Sequence, residues 1–170
     1  MAKQDSSENK LQKRRTKKQE PIRLEALGTK VPPHSTDAEI SVLGAMMLSR
    51  EAISRAQGII EANAFYHLPH VKIFEALSHL NDKGMSGDII SLKEYLKSKG
   101  TLDEIGGIAY LSEINSRTPT AALVENHSRI VQEKYLKRRL IEAAGNILVN
   151  SYDESSDAFE EIDAAEAQIF

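Results

Sequence analysis

Between Pro119 and Phe170 the chain contains no proline, and its first glycine after Pro119 is Gly145. A stretch so free of breakers has one economical solution. The pattern from about Thr120 to Asn150 predicts a single helix of about 30 residues, roughly 45 Å long at 1.5 Å per residue. Thr118 and Pro119 read as its start, with Thr118 as cap and Pro119 at the first position. The whole chain has 170 residues, enough for one domain or for a small domain with an appendage. A helix of that length cannot lie wholly on such a core, so part of it must stand clear.

The second half of this helix carries Leu136, Leu140, Ala143 and Ile147 at i, i+4, i+7 and i+11, with Ile141, Ala144 and Leu148 widening the stripe. After a polar loop from Ser151 to Ser156, Asp157 and Glu160 cap a last helix lined by Ala158, Ile162, Ala165 and Ile169. The two stripes match in length and in small residues. They predict an antiparallel helical hairpin over residues 118–170. Apolar surface left over on such an arm finds another subunit. The candidate oligomer interface is therefore Leu136, Leu140, Ala143, Ile147, Ile162 and Ile169.

Residues 31–117 read as a bundle of five to six helices. Pro32-Pro33 ends a polar tail, and Ser35 or Thr36 caps a helix through about Leu48, Thr36 with Glu39 fitting a capping box. A second helix is expected from about Glu51 to Ala62. A third starts at Pro69, carries Ile73, Phe74, Leu77 and Leu80, and stops at Gly84. A fourth runs from Asp88 to Lys99, with Ser91 and Glu94 as a second capping box and Leu92, Tyr95 and Leu96 on the buried face. Gly106-Gly107 opens a fifth through Ile108, Leu111 and Ile114. Aromatics are only 5% of the chain and tryptophan is absent, so the core falls to Leu, Ile, Val, Ala and Met, a palette suited to helices packed on helices. The fold class is all-α: a compact bundle followed by a projecting hairpin.

Charge is unevenly spread. Residues 1–30 hold nine Lys/Arg against four Asp/Glu, whereas residues 31–170 hold thirteen against twenty-one. The acidic body argues against gripping phosphates by bulk charge. The basic extension 1–30, with Lys13-Arg14-Arg15-Thr16-Lys17-Lys18, reads as disordered; such a run either attracts nucleic acid or is simply solvated. With no cysteine, disulfides, thiol catalysis and thiolate zinc sites are excluded, and the cytoplasm is the expected compartment. No apolar run is long enough for a membrane span or a signal peptide.

No catalytic signature emerges. There is no phosphate-binding loop of the Gly-x-x-x-x-Gly-Lys-Ser/Thr type, and Gly106-Gly107-Ile108-Ala109-Tyr110 lacks the spacing of a dinucleotide fingerprint, so it reads as a turn opening a helix. His67 and His70 flank Leu68-Pro69, and His79 lies too far along its helix to join them. A metal site needs a third ligand on the same face, so capping and surface packing are the expected roles of these histidines. Lys134, Lys137 and Arg138 share a face of the long helix. They form either a DNA or partner contact or a solvated face partly neutralised by Glu133 and Glu142. Tyr135 suits both an exposed partner anchor and a core position at the hairpin root.

Five segments resemble the N-terminal domain of DnaB-type bacterial replicative helicases, in that family's order. They are Val31-Pro32-Pro33-His34-Ser35 with Ala38-Glu39 and Ser41-Val42-Leu43-Gly44; Phe65-Tyr66 with Pro69-His70 and Ile73-Phe74; Gly106 to Leu111; Thr118-Pro119-Thr120-Ala121-Ala122; and Ala165 to Phe170. The likeness covers about residues 31–170, and the extension 1–30 departs from shorter members. It implies a parent enzyme with a RecA-like motor after Phe170, using ATP and Mg to translocate on single-stranded DNA that passes through the ring. It further implies hairpin-paired dimers, a trimer of dimers in a hexamer, and docking of a DnaG-type primase, with a helicase loader as a further candidate partner. The region itself holds no ATPase motif and is expected to be non-catalytic alone, without catalytic, cofactor or metal residues. An alternative from another class is a free-standing helical adaptor that binds nucleic acid through the basic tail. Steep, tail-dependent salt sensitivity of DNA binding separates the two.

Overall fold

A computed structural model describes residues 30–153, 155 and 157–169. The expectations placed on residues 1–29 lie outside that set. Residues Pro32–Phe170 form one compact unit. Among the described residues there are seven α-helices and no strand: α1 Thr36–Leu48, α2 Arg50–Gln57, α3 Leu68–Asp82, α4 Ile89–Ser98, α5 Gly107–Arg117, α6 Val124–Asn150 and α7 Ala158–Ile169. Helices α1 to α5 make the bundle, α1 lying at its centre against α2, α3, α5 and α6.

The apolar positions read from the sequence are inside. Ile73, Phe74, Leu77, Leu80, Leu92, Leu96, Leu111 and Ile114 are all buried, and Leu43, Met46 and Ile53 join them. Each such side chain contributes about 1.5–3 kcal/mol over leaving it in water. Gly84 and Gly100 stop α3 and α4 with φ of 73° and 70°, a left-handed conformation where a side chain is strained. Ile108 departs from expectation and is exposed at the solvent side of α5.

Several helix starts differ from the expected ones, each for a local reason. Ser35 caps α1, its hydroxyl accepting from the Ala38 amide at 3.4 Å, while Thr36 instead pairs with His67 Nε2 at 2.8 Å. Glu39 closes no capping box; its carboxylate turns into the bundle. Helix α4 is capped by Asp88, not by the Ser91–Glu94 pair. One Asp88 oxygen accepts from the amides of Ile90 and Ser91, the other from the Ser91 hydroxyl. The Ser86 and Ser91 hydrogen bonds hold the Asp88 carboxyl down at about 2. Helix α2 ends at Gln57, short of Ala62, because the amides of Ile59 and Ile60 both bond the Ala56 carbonyl and tighten the last turn. A 3-10 turn, Ala62–Ala64, follows and still delivers Ile60 to the core.

Thr118 does not begin the long helix. It ends α5, donating its hydroxyl to the Ile114 carbonyl at 3.2 Å, and a turn through residues 120–123 precedes α6. Its burial against α1 explains the difference: a Cβ on Gly44 would stand 2.1 Å from Thr118 Oγ1 and 3.0 Å from the Ile114 carbonyl oxygen. Helix α6 is thus 27 residues, about 40 Å long. Gly44→Ala is expected to cost about 1–3 kcal/mol by forcing α1 off this corner. Thermal unfolding followed by circular dichroism measures it, and an unchanged midpoint would mean that the corner relaxes freely.

Candidate association surface on the helical hairpin

The hairpin is rooted by the first half of α6. Val124, Ser128 and Val131 are buried there, and Tyr135 packs half-buried against the core. One turn further on, Arg138 fastens the root. Its Nη1 donates to the Pro33 carbonyl at 2.8 Å and its Nη2 to the Ala64 carbonyl at 2.6 Å. The guanidinium also lies 5.7 Å from the Tyr66 ring and 5.8 Å from the Tyr135 ring, and Tyr66 stacks on His34 at 4.2 Å. Arg138 therefore joins α6 to the chain before α1 and to the turn before α3.

That same turn is held from below by Glu39, 1% exposed. Its carboxylate accepts from the Tyr66 amide at 2.8 Å, from the His67 amide at 3.4 Å, and pairs with His70 Nδ1 at 2.6 Å. The far ring nitrogen of His70 meets the Tyr110 hydroxyl at 2.6 Å. Burial pushes the Glu39 carboxyl up, but the bond to His70, the two amides and the His70 charge outweigh it and hold the group below its ordinary 4.5. Burial also lowers His67, with His70 and His34 adding to the effect and Glu39 opposing it. Tyr110 is pushed up, chiefly by burial and by Glu113. His70 is thus a fully buried hydrogen-bonded residue rather than surface packing, while His79 stacks on Tyr95 at 4.9 Å on α3. No group of three His, Cys, Asp or Glu among the described residues is arranged to hold a metal ion.

Beyond Arg138 the hairpin leaves the bundle. Helix α7, started by Asp157 accepting from the Phe159 amide at 2.9 Å, packs on α6. This packing leaves Ala143 8% exposed and Ile147 and Ala165 half-buried. Leu136, Leu140, Ile162 and Ile169 remain about half exposed, and so do Ile141 and Leu148. Of the expected interface residues, then, Ala143 and Ile147 lie on the inner side of the hairpin and the other four on its surface. Lys134 is half-buried and Lys137 pairs with Glu133 at 2.5 Å, while the Arg138 guanidinium is taken up inside the subunit. Three residues outside the periodic stripe crowd the tip: Val149, Tyr152 and Phe159, each more than 70% exposed. Periodicity misses them because they sit at the ends of helices, where the face changes. Their size beside a polar loop was the available signal.

The arrangement is a helical bundle that carries a two-helix arm fixed at its root, with apolar side chains exposed along the arm. The profile of the DnaB-like helicase N-terminal domain matches residues 31–133, and the chain belongs to that family. It is 42% identical over 141 residues to the replicative DNA helicase DnaB of Rhodothermus marinus, covering 83% of this chain and 15% of that protein. Against the same helicase of Treponema pallidum it is 35% identical over 150 residues, covering 88% and 34%. The chain thus spans about a third of the length of these relatives, or less. Its fold is similar to the crystal structure of the N-terminal domain of DnaB helicase from Mycobacterium tuberculosis, with a TM-score of 0.78, 36% identity, and coverage of 82% of this chain and 98% of that one. A structure of a DnaB-like replicative helicase and its interactions with primase matches with a TM-score of 0.68 at 25% identity, covering 80% and 32%. No helix among the described residues is long and apolar enough to cross a membrane.

Acid should loosen the corner at the hairpin root. Glu39 has a lowered folded value, so its stabilisation is complete above 4.5 and fades as pH falls through the lowered value. His67 is held below 6.5, so its neutral ring is the folded form and protonation opposes folding in the same direction. Glu39→Leu is expected to cost about 3–5 kcal/mol at neutral pH, because it strips the buried His70 and two amides of their partner. Urea unfolding at pH 7 and at about pH 3 measures both effects. An identical acid dependence in parent and variant would place the sensitivity elsewhere.

Proposed function

We propose that this chain is the collar of a hexameric replicative DNA helicase, with residues 31–117 as the bundle and 118–170 as the hairpin through which copies pair. The observation that carries this reading is the hairpin's unpartnered apolar surface, built on Leu136, Leu140, Ile162 and Ile169 and held to the bundle only at its root. Ala143 and Ile147 stiffen the hairpin from within. Pairs of hairpins close into a trimer of dimers, and the ring they support unwinds duplex DNA with ATP and Mg bound by a motor that lies outside these residues. The compartment is the cytoplasm, where single-stranded DNA passes through the assembled ring.

A DnaG-type primase is the partner proposed for the outer face of the collar, with a helicase loader as a second. Support comes from the solved helicase of similar fold that is described together with its primase interactions. On this reading Tyr135 and Lys134 stiffen the hairpin root, Lys137 lies beside the partner face, and Arg138 sets the angle at which the hairpin is presented.

Two outcomes test the assignment. Leu140→Asp is expected to leave the helical content intact while lowering the sedimentation mass, since a buried charge at an apolar contact is strongly unfavourable. If that variant stays as oligomeric as the parent, the interface lies elsewhere. The parent is also expected to retain the isolated helicase-binding domain of a DnaG-type primase in a calorimetric titration. No heat and no complex at tens of micromolar would remove the primase from the assignment.

A further inference from the structure

Membership of the helicase family leaves one feature of the sequence without a role. The family profile begins at residue 31, and the run from Lys10 to Lys18 lies before it. Lys10, Lys13, Arg14, Arg15, Lys17 and Lys18 make six cations in nine residues, with no Asp or Glu among them. Like charges this close repel one another, and a row of anions at similar spacing relieves the repulsion.

The structure removes a competing site for such a ligand. The basic face of α6 fits a DNA contact by sequence, but its charges are engaged within the subunit. Arg138 donates to the Pro33 and Ala64 carbonyls, Lys137 pairs with Glu133, Arg139 pairs with Glu142, and Lys134 is half-buried beside Glu133. Residues 31–170 as a whole are acidic, with thirteen Lys/Arg against twenty-one Asp/Glu. Phosphates are therefore drawn to the run and not to the fold that carries it.

Two features choose the ligand. Residues 1–30 contain no Phe, Tyr or Trp, so there is no ring on which an unpaired base could stack. Affinity must then come from phosphate charge, and a duplex carries one charge per about 1.7 Å of axis, about twice the density of a single strand. The one apolar side chain between Lys10 and Lys18 is Leu11, too little to insert into a lipid surface.

We infer that residues 10–18 are a sequence-independent binding site for the phosphate backbone of duplex DNA, tethered to the bundle and separate from any strand that passes through a ring. The inference goes beyond the function proposed above and does not need hairpins to pair. Thirteen residues separate Lys18 from Pro32, where the compact unit begins, a tether of at most about 50 Å. That reach exceeds the Debye length of about 10 Å at 0.1 M salt, so a duplex held by the run can stay clear of the acidic body's repulsion.

The test is fluorescence anisotropy of a labelled, mixed-sequence duplex of about 20 base pairs, titrated with the 170-residue chain. Affinity is expected to fall about a thousandfold between about 50 and about 200 mM salt, a log–log slope of about −5 for six phosphates. A single strand of the same length should bind more weakly, with a slope of about −4. Lys13→Gln, Arg14→Gln, Arg15→Gln, Lys17→Gln and Lys18→Gln together, with helicity checked by circular dichroism, should weaken duplex binding at least about tenfold at the lower salt and flatten the slope to about −1. Lys137→Gln with Arg139→Gln should leave both unchanged. No duplex binding at about 50 mM salt, or binding that survives the five substitutions, overturns the site. Loss of binding in the α6 variant overturns it too, by moving the contact to that helix. Preference for the single strand, or displacement of the duplex by phosphatidylserine vesicles, overturns the ligand. None of these outcomes bears on hairpin pairing, which Leu140→Asp reads by sedimentation.

Discussion

The carboxylate of Glu39 sits out of reach of water, and everything it touches is drawn from one short stretch of chain and one facing helix. It accepts from the amides of Tyr66 and His67, just before α3, and from the His70 ring within the first turn of that helix. An anion is well placed at that end of a helix, and His70 passes the network on to Tyr110 on α5. Three helices are thereby joined through one hydrogen-bonded network. The turn it holds is the one whose Ala64 carbonyl Arg138 grips from the other side. The stance of the hairpin depends on that turn staying where it is.

From this corner outward the molecule changes character. Below it, apolar side chains are closed off in a core of small and aliphatic residues. Above it, α6 and α7 have only each other, and two helices cannot bury all of a stripe as wide as this one. The result is a hairpin held at its root and apolar along its length.

The sequence was most legible where periodicity and breakers agree. The absence of proline after Pro119 gave the long helix, the stripe through Ala143 gave the hairpin, and Gly84 gave a helix stop in left-handed backbone. It was least legible where polar side chains had several plausible partners. Glu39 and Glu94 each fit the spacing of a capping box, yet Ser35 and Asp88 supply the caps, because a hydroxyl or carboxylate immediately before the helix reaches the free amides more directly. Thr118 reads as a helix start by residue type and is a helix end by contact, a distinction set by Gly44 some 70 residues upstream and invisible to local pattern. The same limit explains the Glu39–His70–Tyr110 network and Arg138: each joins positions far apart in the chain, and only the fold shows that they meet.

The acceptors chosen by Arg138 have a consequence for how the protein tolerates change. Both are main-chain oxygens, those of Pro33 and Ala64, and a main-chain oxygen survives replacement of the side chain it belongs to. Drift at positions 33 and 64 leaves the clasp its two landing points so long as the backbone path is kept. The side-chain half of this clasp is concentrated in one codon, that of Arg138, where even lysine would offer a point charge in place of a fork able to reach both oxygens at once.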